Sequence, residues 1–269
     1  MIKGSPISDC TVCGHRFLSA DPASPATLYG DGYFSGDPGG YVDYLRDGDR
    51  LRRRGNDYAR LLARHMPPGR VLDIGAAGGF LLRGLHDLGW TGQGLEPNPA
   101  MAHHARACLG LDVRVGDLET FQPDGAFDLV MLVQVVPHFM RLRPALANAL
   151  WATRPGGLWL VEAWDRNSMF AKACGRFWHE YNPPSIRHWF TPDSLAGLLR
   201  GYGLREVARG RPAKSISLAH GVAILADTLG LARTGAVLRR ITGAVGGIPV
   251  PYPGDDVFWA LYRLDDLPG

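Results

Sequence analysis

Val71-Leu-Asp-Ile-Gly-Ala-Ala-Gly-Gly-Phe80 decides the fold of this 269-residue chain. Pro67-Pro68-Gly69 precedes it and ends whatever lies upstream. The apolar run Arg70–Ile74 predicts a buried parallel strand, and the small residues after it predict a tight turn into a helix starting at Phe80. Small side chains let the backbone turn sharply and approach a ligand, while the helix that follows offers unpaired N–H groups.

Outward from this stretch the pattern alternates. Strands are expected at 92–96, 111–115, Phe127–Val133 and 157–162, with helices at 80–88, Pro99–Leu109 and 142–153 between them. Such alternation points to right-handed crossover units and a doubly wound, mostly parallel sheet, an α/β fold. Upstream, Leu51, Tyr58, Leu61 and Leu62 recur at helical spacing over 49–66. Downstream, Thr191-Pro192 opens a helix that Gly203 closes, and strands at 204–209 and 256–264 bring the total to seven. Residues 1–40, rich in Gly, Pro, Asp and Ser, read as an irregular arm. Residues 163–190 form a long aromatic loop, the kind that is functional more often than idle. The apolar positions of 212–247 predict a helical insertion. Three units follow: an arm at 1–48, a core at 49–211 and 255–269, and an insertion at 212–254.

Composition narrows the function classes. The net charge is +3, carried by arginine, with Lys3, Lys172 and Lys214 the only lysines. Arg50-Leu-Arg-Arg-Arg54 reads as the solvated face of a helix, and with no nucleic-acid reader motif no nucleic-acid partner is expected. Met1–Cys10 lacks the apolar segment of an export signal, and Cys10, Cys13, Cys108 and Cys174 read as reduced thiols, so a cytoplasmic protein is predicted.

Several further residues occupy strand ends. Asp73 ends the first core strand, Glu96 the second in Gly-Leu-Glu-Pro-Asn, and Gly116-Asp117-Leu118 follows the third. Phe127-Asp-Leu-Val130 and Arg154-Pro-Gly-Gly-Leu158 mark the fourth strand and the turn into the fifth. In this order the segments resemble those of class I S-adenosylmethionine-dependent methyltransferases, whose first motif has an acidic residue before G-x-G-x-G. Gly75, Ala77 and Gly79 fill the three turn positions, with Ala77 in place of the middle glycine. The dinucleotide pattern G-x-G-x-x-G would need glycine at Ala77 and Phe80 and is not met. The resemblance implies a Rossmann-like, seven-stranded sheet whose last strand is antiparallel. It implies that S-adenosyl-L-methionine, leaving as S-adenosyl-L-homocysteine, is held by Asp73, Gly75, Ala77, Gly79, Glu96, Asp117, Leu118 and Gln134. Within that set Glu96 would accept from the ribose hydroxyls and Asp117 from the adenine amino group.

Tyr29-Gly-Asp-Gly-Tyr-Phe34, Tyr41-Val-Asp-Tyr-Leu45 and Phe190-Thr-Pro-Asp-Ser-Leu195 extend the likeness to a bacterial subfamily that often begins with a zinc knuckle of two CxxC pairs. Only Cys10-Thr-Val-Cys13 is present here. With His15 it supplies at most three of the four donors a structural zinc takes, so no metal is expected. Gln134-Val-Val-Pro-His138 also departs from the subfamily, in which acidic residues occupy the positions of Gln134 and Pro137.

Methyl transfer is an in-line displacement that needs an aligned acceptor and often a base. His138, at the carboxyl end of the fourth strand, and His179, Tyr181 and His188 in the aromatic loop are the candidate bases. Trp164, Trp178 and Tyr181 are the expected wall of a small-molecule acceptor pocket, the acceptor atom being O, N or C. A non-catalytic cofactor-binding accessory protein and an NAD(P)-dependent oxidoreductase remain as alternatives. The insertion, with Arg233, Arg239 and Arg240, would cap the acceptor, form a homodimer or touch a membrane surface.

Overall fold

A computed structural model of the chain describes residues 2–19, 44–121, 126–212, 215–217, 249–251 and 254–265. The core strands are β3 (Arg70–Ile74), β4 (Thr91–Glu96), β5 (Asp112–Val115), β6 (Phe127–Val133), β7 (Thr153–Trp164), β9 (Leu204–Gly210) and β12 (Val257–Leu264). They form one sheet in the order β5-β4-β3-β6-β7-β12-β9. The pairs β3–β4, β4–β5, β3–β6 and β6–β7 are parallel, whereas β12 runs antiparallel between β7 and β9. This is the seven-stranded, mostly parallel sheet with an antiparallel last strand that the sequence implied. The strand order reverses between β3 and β6, which opens a crevice at the carboxyl edge.

Successive side chains of a strand point to opposite faces, and both faces of this sheet are covered. Leu72, Val130, Leu132, Trp159 and Val161 pack with α4 (Leu142–Trp151) and α6 (Pro192–Arg200). Their neighbours Val71, Leu129, Met131, Leu158 and Leu160 pack on the other face. That face is covered by α1 (Gly48–Leu62), α2 (Phe80–His86) and α3 (Pro99–Leu109). Continuous apolar runs in the sequence are the consequence.

Helices α1 and α2 cross at Gly55 and Gly84. A Cβ on Gly84 would lie 2.2 Å from the Arg52 carbonyl oxygen, and one on Gly55 2.3 Å from that of Leu81. Alanine in a helix is worth about 1 kcal/mol over glycine, but here the obstacle is backbone and cannot rotate away. Overpacking costs about 1–3 kcal/mol and wins. Gly84→Ala is therefore expected to lower the urea midpoint of unfolding, and a raised midpoint would show that the helices separate freely.

The amino-terminal segment differs from the irregular arm expected. Strands β1 (Ile7–Asp9) and β2 (Arg16–Leu18) make a hairpin that adds to β8 (His188–Trp189). Ile2 and Leu18 share a small core there with Trp178, Tyr181, Ile186 and Trp189. Strands of two or three residues are too short to show a period, so only their packing defines them. The aromatic loop also contains α5 (Met169–Cys174).

Flanking the insertion, β10 (Ser215–Ser217) pairs antiparallel with β11 (Pro249–Pro251), so strand replaces the helix expected at 215–217. Residues 218–248, which carry the rest of the predicted helical insertion with Arg233, Arg239 and Arg240, lie outside the described residues. So do residues 29–34 and 41–43. No described helix is long and apolar enough to cross a membrane.

Candidate active site

The turn after β3 has the backbone its composition demands. Gly75, Ala77 and Gly79 all have positive φ, at 68°, 47° and 81°. A Cβ on Gly75 would lie 2.6 Å from the Val135 side chain, so the turn admits no side chain there. Ala77 occupies a left-handed conformation that costs an L-residue about 1–2 kcal/mol. Its methyl group packs with Tyr44, Leu51 and Phe80, which offsets that cost. Phe80 itself fills the space under the turn, with its ring 5.9 Å from that of Tyr44 and 5.5 Å from that of His104.

A cavity opens along the carboxyl edge of the sheet. It is lined by Gly75 and Ala77 after β3, Glu96 and Pro97 after β4, and Gly116 through Glu119 after β5. Gln134, Val135, His138, Phe139 and Met140 after β6, with Tyr44, Leu51 and Arg54 from the amino-terminal side, also line it. Six of the expected donor-binding residues (Gly75, Ala77, Glu96, Asp117, Leu118 and Gln134) thus meet in one place. Asp73 and Gly79 do not line it. Asp73 is buried beneath the turn, and burial followed by the nearby Glu96 charge pushes its carboxyl well above the usual range. Gly79 is enclosed by Leu111 and Ala105.

Glu96 is 3% exposed, and its two oxygens accept the backbone N–H groups of Ala77 and Asn98, each at 2.8 Å. Burial pushes its carboxyl up to about 7, against the lowering effect of those two bonds. Asp117 accepts the Thr120 N–H at 3.0 Å through one oxygen. Asp128, by contrast, ties the Arg70 backbone N–H and the Arg154 side chain, a strand-edge role away from the cavity.

The four candidate bases part company. His138 lines the cavity, and its Nδ1 lies 2.9 Å from the Ser185 carbonyl oxygen. A carbonyl only accepts, so Nδ1 carries the proton and the lone pair is on Nε2. Burial holds the ring below its ordinary pKa. His188 is buried away from the cavity, with Nε2 donating to the Phe139 carbonyl at 3.0 Å, and its pKa is pushed down to about 3, chiefly by burial. His179 sits among Trp164, Phe170 and Trp178, and Tyr181 receives a hydrogen bond from Arg16.

The expected acceptor wall is also elsewhere. Trp178 is 0% exposed, its Nε1 donates to Asp256 at 2.8 Å, and with Trp164 and Tyr181 it belongs to the hairpin core. These three rings pack beneath the hairpin and do not line the cavity. The loop reaches the cavity through its backbone: Ser185 fixes His138, and the Arg187 N–H donates to the Pro137 carbonyl at 2.8 Å.

Two site residues escaped the sequence reading. Arg54 was read as part of a solvated run but turns inward, lines the cavity and pairs with Glu162 of β7. Its position three after Leu51 and four before Tyr58, both apolar-face residues, was the available signal. Glu162 is a charge inside an apolar strand, which was another.

Cys10, Cys13 and His15 stand together at the tip of the hairpin, with their donor atoms within 4.8 Å of one another. They are the three donors counted from the sequence, and none of them lines the cavity.

A family model described as a methyltransferase domain matches residues 46–208. The chain belongs to that family. Curated relatives include a ubiquinone biosynthesis O-methyltransferase of Methylobacterium nodulans, 32% identical over 150 residues. That match takes in 51% of this chain and 60% of the relative, so the likeness spans well under two thirds of the relative's length. Among solved structures, a possible histamine N-methyltransferase of Thermotoga maritima superposes with a TM-score of 0.55 at 19% identity. It covers 83% of this chain and 94% of its own. Magnesium protoporphyrin IX methyltransferase of Synechocystis PCC 6803, solved with S-adenosylhomocysteine, gives a TM-score of 0.53 at 13% identity over 86% and 90% of the two chains. These structural likenesses concern the fold.

The cofactor of this methyltransferase is S-adenosylmethionine, and the donor set of the cavity matches it. A buried carboxylate for a diol, a second carboxylate for an amino group, apolar walls at Leu118 and Phe139, and a guanidinium at the far end complement the chemistry of the cofactor from adenosine to amino acid. The crowding at Gly75 keeps the floor of the cavity to bare backbone.

Proposed function

We propose that the methyltransferase methylates a hydroxyl group of a small molecule, with His138 as the base. The orientation of His138 carries this reading: it lines the cavity with Nδ1–H committed to the Ser185 carbonyl, which puts the lone pair on Nε2. A hydroxyl is a weak nucleophile until its proton leaves, so it is the acceptor that most needs such a base. The curated relatives, named as O-methyltransferases of ubiquinone biosynthesis, favour a phenol-like hydroxyl.

When bound, S-adenosylmethionine supplies an electrophilic methyl carbon on a sulfonium sulfur. Glu96 would hold its ribose hydroxyls, Asp117 its adenine amino group, and Arg54 its α-carboxylate. Phe139 and Met140 exclude water. His138 would accept the acceptor's hydroxyl proton at Nε2, leaving the oxygen as the nucleophile. Its imidazole is held neutral by burial, so it is ready as a base at pH 7.

Turnover with a panel of phenolic acceptors, followed as S-adenosylhomocysteine release, tests the proposal. His138→Ala is expected to lower kcat by about 10²–10⁴-fold, with S-adenosylhomocysteine affinity within twofold of wild type. At saturating S-adenosylmethionine the wild-type kcat should be full at neutral pH and fall as pH drops through the depressed pKa of His138. That acidic limb should be missing from the variant's residual rate. A chain that binds S-adenosylhomocysteine yet methylates nothing would be an accessory protein instead.

A further inference from the structure

The functional edge of the sheet ends on a group that the mechanism above does not use. Glu162 interrupts the apolar run of β7 and is 0% exposed. It sits beside Val133, the last residue of β6, and its carbonyl accepts the Gln134 N–H at 2.9 Å. Its Oε2 accepts from both the Arg54 guanidinium and the Tyr58 hydroxyl. Its Oε1 accepts from the Gln134 side-chain amide at 2.5 Å. Arg54 and Gln134 line the cavity, and Glu162 lies behind them.

A buried carboxylate is expensive to desolvate and persists only where several donors converge on it. Converging donors are themselves fixed in place by the charge. The guanidinium has five N–H donors in a rigid fork, so one edge can serve Glu162 while another serves a second carboxylate. For Gln134 the effect is on polarity. With Nε2 donating to Glu162, the amide oxygen is the atom presented as an acceptor. The charge on Glu162 thereby sets one cation-bearing and one acceptor side chain at the same end of the cavity.

Which end that is follows from the order of the sheet. Asp117 follows β5, Glu96 ends β4, Gly75 follows β3 and Gln134 follows β6, so these residues stand in a row along one edge. With adenine and ribose at Asp117 and Glu96, the amino-acid end falls at Gln134 and Arg54. We infer that Glu162 is the positioning residue for the amino-acid end of the cofactor, setting Arg54 towards its α-carboxylate and Gln134 towards its α-ammonium group. The inference rests on the donor-site reading above and adds a residue that touches no ligand.

Calorimetric titration of the full chain with two probes tests it. S-adenosylhomocysteine carries the amino-acid end, and 5′-deoxy-5′-methylthioadenosine lacks it while keeping the adenosine. In Glu162→Gln the side-chain volume stays and the charge goes. A charge-assisted hydrogen bond is worth about 1.5–3 kcal/mol, so S-adenosylhomocysteine should bind at least about tenfold more weakly. Methylthioadenosine should bind within twofold of wild type. Equal losses for both probes, or no loss for either, would overturn the inference, because a merely structural role moves both together. Tyr58→Phe, which deletes one hydroxyl from the buried cluster, covers the case in which Glu162→Gln does not fold. It should show the same selectivity at about threefold, and an unselective loss there overturns the inference equally. Wild-type protein that binds neither probe would instead sink the donor site itself.

Discussion

Glu96→Gln is expected to weaken S-adenosylhomocysteine binding by about a hundredfold or more. Both oxygens of the wild-type carboxylate already accept backbone N–H groups, from Ala77 and Asn98. Glutamine has one oxygen, so its NH2 group must face one of those donors. A buried N–H left unpaired costs about 1–3 kcal/mol, and the affected residue belongs either to the cofactor turn or to the start of α3. The charge that strengthens two ribose bonds is lost as well. A second signature follows from the pKa. Burial pushes Glu96 up to about 7, and the other buried carboxyl beside it, Asp73, is driven towards its neutral form. The ionised form accepts from the diol, so affinity should rise between pH 6 and pH 8 and then level. Glu96→Gln should lose that rise. Calorimetry across the range checks both, and an unchanged affinity would remove Glu96 from the site.

Trp178→Ala is expected to cost about 3–5 kcal/mol of stability. The indole is wholly buried, donates to Asp256 at 2.8 Å and meets Tyr181 edge-on with ring centroids 5.2 Å apart. Deleting it empties the small core that joins the hairpin to the aromatic loop. That loop supplies the Ser185 carbonyl to His138, so turnover should fall only as far as the loop loosens. Urea unfolding measures the first effect, and S-adenosylhomocysteine affinity of the folded protein should stay within twofold. A variant of wild-type stability that has lost only acceptor turnover would restore Trp178 to the acceptor wall.

These two residues mark the boundary of what the chain reveals unfolded. Glu96 was legible because a parallel sheet makes its carboxyl edge the binding edge, and strand ends can be read from where apolar runs stop. Position in the run then assigns the residue to the site. Trp178 was not legible in the same way, since an aromatic residue in a loop serves equally as ligand wall or as core. Which one it becomes depends on what folds over it, here Leu18 of the hairpin and Ile2 ahead of it, from the opposite end of the chain.

Arg54 shows the same limit on a helix. Arg50, Arg52 and Arg54 are alike in sequence, but rotation of α1 about its axis decides which of them faces water. That rotation is set where Gly55 meets Gly84, and it turns Arg54 towards Glu162.

The amino-acid sequence by itself determined the sheet, the tight turn after β3 and the strand-end residues that meet along the cavity, because strand period and turn chemistry are local. Tertiary structure alone decided the proton on His138, the burial of Trp178 and the junction of Arg54, Gln134 and Glu162. Arg54 and Glu162 are 108 positions apart, and a charge pair at that separation exists only once the sheet has brought α1 and β7 together.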